Sequence, residues 1–477
     1  MMTGRLGLLG VVISNVIIAV GPFIFLFADR VAYGNSAFGS ILREVAAAFR
    51  DAGTQWIVFL CLGVYFVVFN LLRFQVAARL FWRLHNPDLW LAAALATGSL
   101  VYALNYSVAA ASTQALMLLA GATLGQVVAV WSEWRPHKGT RHRLLLMLVA
   151  LLVVGALWHP DAGRDFAYHG YARWIGPWNN PNLFGLLMGM GMVVAVGQIS
   201  ERLRIGEDGS RGRSPAQFVG LHIVFFLAAA VVMVVGLLNS YSRGAWMATA
   251  CGLVYLFSDV SWFSRVSRLS PWIRRNRFAL SAVLVSVIVL AFWQVHQVEH
   301  TLVRRALSAG NLNDFSWRNR VAAWEGTLQM MAEKPWFGFG CQQPERVYEN
   351  FYRLPNVTES GAIQMNDHLM LGTSLGLPAF LCFLICVGLS LWGKAEGKRQ
   401  KEESGGQKDE GRIATWNSVR ASCRAGAVVL LVGFWFDGGL FNLATAAPFW
   451  ILLELGQARP QMNENREGPI LTTDEHR

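Results

Sequence analysis

The stretch QFVGLHIVFFLAAAVVMVVGLL, residues 217–238, shows what kind of fold the chain adopts. It contains no Asp, Glu, Lys or Arg. A helix of about 20 apolar residues crosses the hydrocarbon core of a bilayer, because each residue adds about 1.5 Å. The stretch therefore predicts a transmembrane helix, and similar stretches recur along most of the chain.

The composition of the whole chain agrees with this prediction. Of 477 residues, 54% are hydrophobic and only 15% are charged, whereas about a quarter are charged in ordinary soluble domains. These values exclude a disordered chain and a small disulfide-linked secreted domain. They also argue against a soluble enzyme, because the apolar residues are grouped in blocks long enough to cross a membrane.

The apolar blocks predict an all-α polytopic membrane protein with about twelve transmembrane helices. The first runs from about Leu6 to Phe27, and the others cover approximately 56–72, 89–105, 109–131, 144–158, 182–199, 217–238, 245–263, 278–298, 368–392, 425–440 and 443–457. The largest loop, 299–367, lies between spans nine and ten. Its aromatic content predicts that it is folded.

The positions of the basic residues predict the orientation of these helices. The chain carries 41 Lys and Arg against 30 Asp and Glu, a net charge of +11. The basic residues concentrate in the loops after spans two, four, six, eight and ten, which all face one side. The positive-inside rule assigns that side and both termini to the cytoplasm. The basic excess is thereby explained by topology, and it does not require a nucleic-acid partner.

The same reading divides the chain into three regions. Residues 1–165 hold the first five helices. Residues 166–457 form a core that includes the exterior loop 299–367 and the cytoplasmic linker 393–424, of which 394–412 is predicted to be flexible. Residues 458–477 form a cytoplasmic tail. The six cysteines show no spacing typical of a metal site.

Two clusters of polar residues lie on the exterior side of spans six to eight. Residues 171–182 read YARWIGPWNNPN, in which Asn-Pro-Asn is suited to begin a helix. Capping does not explain Arg173. Residues 239–245 read NSYSRGA, a turn so short that Arg243 must lie at the membrane edge. Arg243 either extends towards lipid headgroups or binds an anion through its fork of donors.

Two further clusters lie in the loop 299–367 and at the start of span ten. Residues 318–333 predict a helix that ends before Pro335. This helix is either a plain amphipathic surface helix or one that presents Arg320 and Trp324, four residues apart, for cation–π stacking. His368 is either an interfacial residue or a side chain that takes up a proton near neutral pH.

Together and in this order, the four clusters resemble the superfamily of O-antigen ligases and polymerases. The residues that carry the resemblance are Gly176–Asn182 (with one extra residue), Ser240–Gly244, Arg320–Trp324 with Pro335–Gly340, and Asn366–Leu377. Each motif alone has low specificity, but their order, spacing and common side make the set specific. The resemblance covers about residues 165–455.

The resemblance implies a glycosyltransferase of the bacterial inner membrane. Such an enzyme transfers a glycan from an undecaprenyl-pyrophosphate-type lipid carrier to an acceptor at the periplasmic face. The acceptor is lipid A–core, a growing polysaccharide or a protein. The resemblance also implies that no metal or other cofactor is needed. The expected partners are the lipid-linked oligosaccharide donor, the acceptor and membrane lipids, with no nucleic acid.

The chemistry of such a transfer assigns roles to the residues of the four clusters. Positioned arginines stabilise the charge of a departing pyrophosphate, a role that suits Arg243 and Arg320. The remaining candidates for binding the pyrophosphate or the glycan are Arg173, Arg318, Asn182, Ser242 and Trp324.

The acceptor hydroxyl gains from a general base, which the resemblance assigns to a His beside an Asn. Here Met365 occupies the usual position of that His, and His368 follows three residues later. On a helix, three residues correspond to about 60° of rotation and about 4.5 Å of rise. His368 and Asp367 are therefore both candidate bases.

Two other classes of function remain open from the sequence. Twelve spans are also common in transporters and flippases, which move lipid-linked glycans or other solutes. Transporters usually carry charged sites near the membrane midplane, whereas the predicted spans hold almost no charge, with Asp437 in span eleven as the main exception. A receptor-like or scaffold role is the third possibility.

Overall fold

The fold is described from a computed structural model. The structure describes residues 90, 121–129, 140–158, 167–168, 171–208, 216–258, 315–339, 347–353, 366–392 and 407–457. The predictions for spans one, two and nine, for nearly all of span three, and for Met365 fall outside these residues.

The described chain is helical apart from one short antiparallel pair, so the all-α class is confirmed there. The strands β1 (Ala167–Tyr168) and β2 (Tyr171–Ala172) form that pair. The helices are α1 (Thr140–Leu157), α2 (Pro181–Asp208), α3 (Ala216–Asn239), α4 (Arg243–Ser258), α5 (Phe315–Glu333), α6 (Asp367–Trp392), α7 (Gln407–Phe436) and α8 (Leu443–Gly456). A 3-10 turn (Gly176–Trp178) precedes α2, and a π-helical turn (Tyr348–Tyr352) follows α5.

Within the described residues, four helices are long and apolar enough to cross a membrane. They are Pro181–Arg202 in α2, Gly220–Asn239 in α3, Asp367–Trp392 in α6 and Val419–Phe436 in α7. These four agree with predicted spans six, seven, ten and eleven. The chain is therefore a membrane protein. The total of twelve spans and the exterior position of the loop 299–367 remain predictions.

Helix α7 differs from the sequence prediction at both ends. It begins at Gln407, so the last part of the segment 394–412, predicted as a flexible linker, is helical. It ends at Phe436, which places Asp437 in the turn after the helix and not inside a span running to 440. Cys423, predicted to lie in a loop, is buried within α7. The end at Phe436 matters most, because it brings Asp437 to the level of other helix ends.

Helix α2 is the centre of the bundle and packs against α3, α4 and α7. Two glycines of α2 face polar side chains of neighbouring helices at close range. A Cβ at Gly189 would overlap Thr249 of α4, and a Cβ at Gly197 would overlap Ser422 of α7. Small residues at such crossings let helix backbones approach closely inside a membrane. Helix α8 completes the core through the fully buried Trp450.

Helix α6 is kinked at Gly376, whose φ is 83°. The turn that follows α5 lies against this kink: the Phe339 N–H donates to the Thr373 carbonyl at 2.8 Å, and the Leu377 N–H donates to the Pro335 carbonyl at 2.7 Å. A Cβ at Gly376 would overlap the Trp336 carbonyl. The kink therefore requires glycine both for its backbone angle and for the close contact.

We expect Gly376→Ala to lower the thermal unfolding temperature of the purified protein in detergent. Alanine in this left-handed conformation costs about 1–3 kcal/mol of backbone strain, and the overlap with Trp336 adds to it. Gly388→Ala in the same helix is the matched control, because no heavy atom lies within 4 Å of the place its Cβ would take. Equal unfolding temperatures for the two variants would contradict the interlocked arrangement of turn and kink.

Candidate functional site

Several helix ends meet at one end of the bundle, and the predicted site residues lie there. The backbone N–H of Trp174, just before α2, donates to the carbonyl of Asn239 at the end of α3 at 3.0 Å. The backbone N–H of Leu440, in the turn between α7 and α8, donates to Asp367 at the start of α6. Each of these two bonds joins helix ends that are far apart in the sequence.

Asp437 is the residue that connects these elements. Its Oδ1 accepts a hydrogen bond from Arg320 Nη2 of α5 at 3.0 Å, and this contact is also an ion pair. Its Oδ2 accepts from Ser242 Oγ, just before α4, at 3.0 Å. The side chains of Asp437 and Arg320 are only 2% and 13% exposed. The carboxylate therefore joins α5 to the start of α4 and to the end of α7.

The turn between α3 and α4 has the sequence that this contact requires. Ser242 Oγ accepts from the N–H of Ala245 at 3.3 Å, in the manner of an N-cap, while it donates to Asp437. A Cβ at Gly244 would overlap Asp437 Oδ2. Serine and glycine on either side of Arg243 thus let the carboxylate approach the first turn of α4.

Arg173 is held on another side of the same region. Its Nε donates to the Ser240 carbonyl and its Nη2 donates to Asn182 Oδ1, both at 2.7 Å. Asn180 caps α2 by accepting from the N–H groups of Asn182 and Leu183 at 2.8 and 3.3 Å. The predicted capping by Asn-Pro-Asn is present, and in this structure Asn182 positions Arg173.

The charges of these side chains do not cancel. Arg173 and Arg243 act electrostatically on Asp437 in addition to its partner Arg320. Even with the carboxylate fully ionised, three arginines against one aspartate leave a net charge of +2. The Nε of Arg320 is buried and has no acceptor among the described residues. Buried donors in native structures normally have partners, so this one is a candidate contact for an anionic ligand.

A line of aromatic rings includes Trp324, which follows Arg320 by one helical turn. Trp324 packs edge to face against Trp317 and Trp435, with ring centroids 5.7 and 5.6 Å apart. The ring of His368 lies 5.6 Å from that of Trp435. Stacking of Arg320 on Trp324 was one of two alternatives from the sequence; in the structure Arg320 binds Asp437 and Trp324 contacts two tryptophans.

The two candidate bases have different surroundings. His368 is buried, and its Nε2 lies 3.0 Å from the Leu431 carbonyl. A carbonyl only accepts, so Nε2 carries the hydrogen and Nδ1 holds the lone pair of the neutral ring. No residue within the described ranges binds Nδ1. Asp367 instead accepts the backbone N–H of Leu440 and so fixes the turn between α7 and α8.

Arg318 is not brought into the cluster. It is exposed on α5, and two residues before Arg320 correspond to about 200° around the helix.

Two residues of the region, Asp437 and Trp435, were not among the site residues predicted from the sequence. Asp437 carried a signal, since it was the main charge inside a predicted span. Trp435 carried none, because it lies in an apolar run.

Two tyrosines of the π-helical turn border α5 outside the membrane spans. Burial raises the pKa of Tyr348, and the hydrogen bond that Tyr352 donates to Glu333 raises the pKa of Tyr352 to about 12. Both phenols are therefore protonated at neutral pH.

No group of three or more His, Cys, Asp or Glu side chains in the described part of the chain is arranged to hold a metal ion.

Comparison with known families agrees with the motifs. Residues 228–384, which include Arg243, Arg320 and His368, match the family model described as O-antigen ligase. The resemblance to the O-antigen ligase superfamily is thereby confirmed over this part of the chain. The match and the apolar helices fit a membrane protein with a function of the O-antigen ligase type. No curated protein matches the sequence.

The ion pair itself can be tested by a double-mutant cycle. Asp437→Asn should destabilise the protein by about 3–5 kcal/mol, because it leaves the largely buried Arg320 without its counter-ion. Combining Asp437→Asn with Arg320→Gln should recover part of this loss, with a coupling energy of about 0.5–3 kcal/mol measured from chemical unfolding in detergent. Strictly additive effects would show that the two side chains do not interact.

Proposed function

We propose that the protein is a glycosyltransferase of the O-antigen ligase or polymerase type. It transfers a glycan from an undecaprenyl-pyrophosphate-type carrier to lipid A–core, a growing polysaccharide or a protein. The reaction takes place at the periplasmic face of a bacterial inner membrane, and both termini are cytoplasmic. The observation that carries this proposal is the gathering of Arg173, Arg243 and Arg320 around the carboxylate of Asp437 at the converging helix ends.

In this proposal the arginines bind the pyrophosphate of the donor. Arg243 and Arg320 contact the phosphate oxygens, and the buried Nε of Arg320 supplies a donor that has no acceptor among the described residues. Arg173, held by Ser240 and Asn182, contributes further positive charge. Asp437 binds one end of the Arg320 guanidinium and fixes its position. Such preorganised donors stabilise the charge that develops on the leaving pyrophosphate more effectively than water does.

The transfer then breaks one bond and forms another. The acceptor hydroxyl oxygen attacks the anomeric carbon of the first sugar of the donor. The bond from that carbon to the phosphate oxygen breaks, and its electron pair leaves with the pyrophosphate. The hydroxyl proton passes to Nδ1 of His368, whose other nitrogen is fixed by Leu431. The products are the glycosylated acceptor and the lipid pyrophosphate. Asp367 takes no part in this proton transfer, and its carboxylate holds the turn before α8.

The arginines give the sharpest test of this proposal. We expect the wild-type gene to restore the glycan ladder on gels in a host that lacks its ligase or in one that lacks its polymerase. Arg243→Lys and Arg320→Lys should lower transfer by about 10²–10³-fold, because a lysine cannot provide the fork of donors. Arg353→Ala on the exposed segment after α5 is the control and should retain activity. Protein abundance is measured by immunoblot.

Complementation of neither host by the wild type would contradict the proposal, and movement of a lipid-linked sugar by reconstituted vesicles would favour a transporter. Full activity of both lysine variants would show that the pyrophosphate binds elsewhere.

The role of His368 is tested separately. His368→Ala should reduce transfer by about 10²–10⁴-fold at unchanged abundance if it removes the general base. Asp367→Asn should instead reduce abundance or thermal stability, because its carboxylate fixes the turn before α8. A fully active His368→Ala variant would remove this residue from the mechanism and leave the proton to another group.

A further inference from the structure

Three tryptophans form a continuous aromatic row at the candidate site. The row consists of Trp317 and Trp324 of α5 and Trp435 near the end of α7. Successive rings meet edge to face, with interplanar angles of 82° and 62°. Trp435 remains 36% exposed, and the other two are half-buried. The row thus packs two elements together while part of its aromatic surface stays accessible.

The two elements that carry the row also carry the ion pair. Trp324 follows Arg320 by one helical turn on α5, and Trp435 precedes Asp437 by two residues at the end of α7. The ring of Trp435, at one end of the row, is 5.6 Å from that of His368, the proposed base. In the proposed reaction the first sugar of the donor is attached to the pyrophosphate and is attacked at its anomeric carbon, so it must lie near both the arginines and His368.

We propose that the aromatic row binds the first pyranose ring of the donor, with Trp435 as the main stacking surface. This inference rests on the proposed function. A pyranose has one face of aliphatic C–H groups, which pack on the face of an aromatic ring, while its hydroxyls stay at the rim in contact with water or polar groups. Stacking therefore holds the ring in place without using the charges needed for the pyrophosphate.

Two other exposed tryptophans lack this arrangement. Trp336 is 70% exposed and Trp392 is 82% exposed, and among the described residues neither contacts another aromatic ring. Single exposed tryptophans of this kind are typical of a membrane interface. The aromatic row differs because its rings contact one another and because Trp435, at one end of the row, contacts the ring of His368.

The test separates the sugar from the rest of the donor. Binding of undecaprenyl pyrophosphate and of undecaprenyl-pyrophosphoryl-N-acetylglucosamine to the full-length protein in nanodiscs is measured for the wild type and for Trp435→Ala. The sugar should increase the affinity of the wild type, and Trp435→Ala should lose roughly tenfold of that increase while it binds the bare pyrophosphate unchanged. Trp435→Phe should retain most of the increase, and Trp336→Ala is the matched control.

Every other outcome contradicts either the binding of the sugar by the aromatic row or the proposed function. If the sugar adds no affinity in the wild type, or if Trp435→Ala retains the full increase, the aromatic row does not bind the sugar. If Trp435→Ala weakens both ligands equally, the row supports the pyrophosphate site or the fold and the inference is wrong. If the wild type binds neither ligand, the proposed function itself fails, which is distinguishable from a failure confined to the sugar.

Discussion

The ion pair between Arg320 and Asp437 is the contact on which the geometry of the candidate site depends. It joins α5, a helix of the predicted exterior loop, to the turn between α7 and α8. The same carboxylate accepts from Ser242 before α4, so three separate parts of the chain meet at one side chain. A buried ion pair often contributes little net stability, because desolvation offsets much of the attraction between the charges. The main effect of this ion pair is therefore to hold the Arg320 guanidinium in a fixed place at the level of the helix ends.

The helical core was largely readable from the sequence, because apolar length alone specifies it. The predicted spans 182–199, 217–238 and 368–392 correspond to α2, α3 and α6 within a few residues, apart from the longer C-terminal end of α2. Apolar length did not reveal that α7 begins at Gln407, since a polar helical extension has no hydrophobic signature. It also did not place the kink at Gly376, which depends on a backbone contact with the turn after α5. A backbone contact of this kind joins residues that are far apart in the sequence, so the local sequence pattern does not reveal it.

The candidate site was only partly predictable for the same reason. Arg173, Ser242, Arg243 and Arg320 stood out as members of the polar clusters identified in the sequence, and the structure gathers them around Asp437. Spacing could not show that Asn182 would bind Arg173 or that Trp435 would lie between Trp324 and His368. These are relations between distant segments. The role of Asp367 was ambiguous from the sequence, because a carboxylate at a helix start suits both proton transfer and a bond to a backbone N–H.

Helix α5 is fastened at both of its ends. Arg320 near its start binds Asp437, and the turn after its end bonds to the kink of α6 through Pro335 and Phe339. The number of residues between these two contacts therefore has to match the distance between their partners, Asp437 and the kink of α6. One inserted residue would rotate everything beyond it by about 100° and shift it by about 1.5 Å, so both ends could not be fastened together. An insertion or deletion between Arg320 and Phe339 would therefore break one of these two attachments.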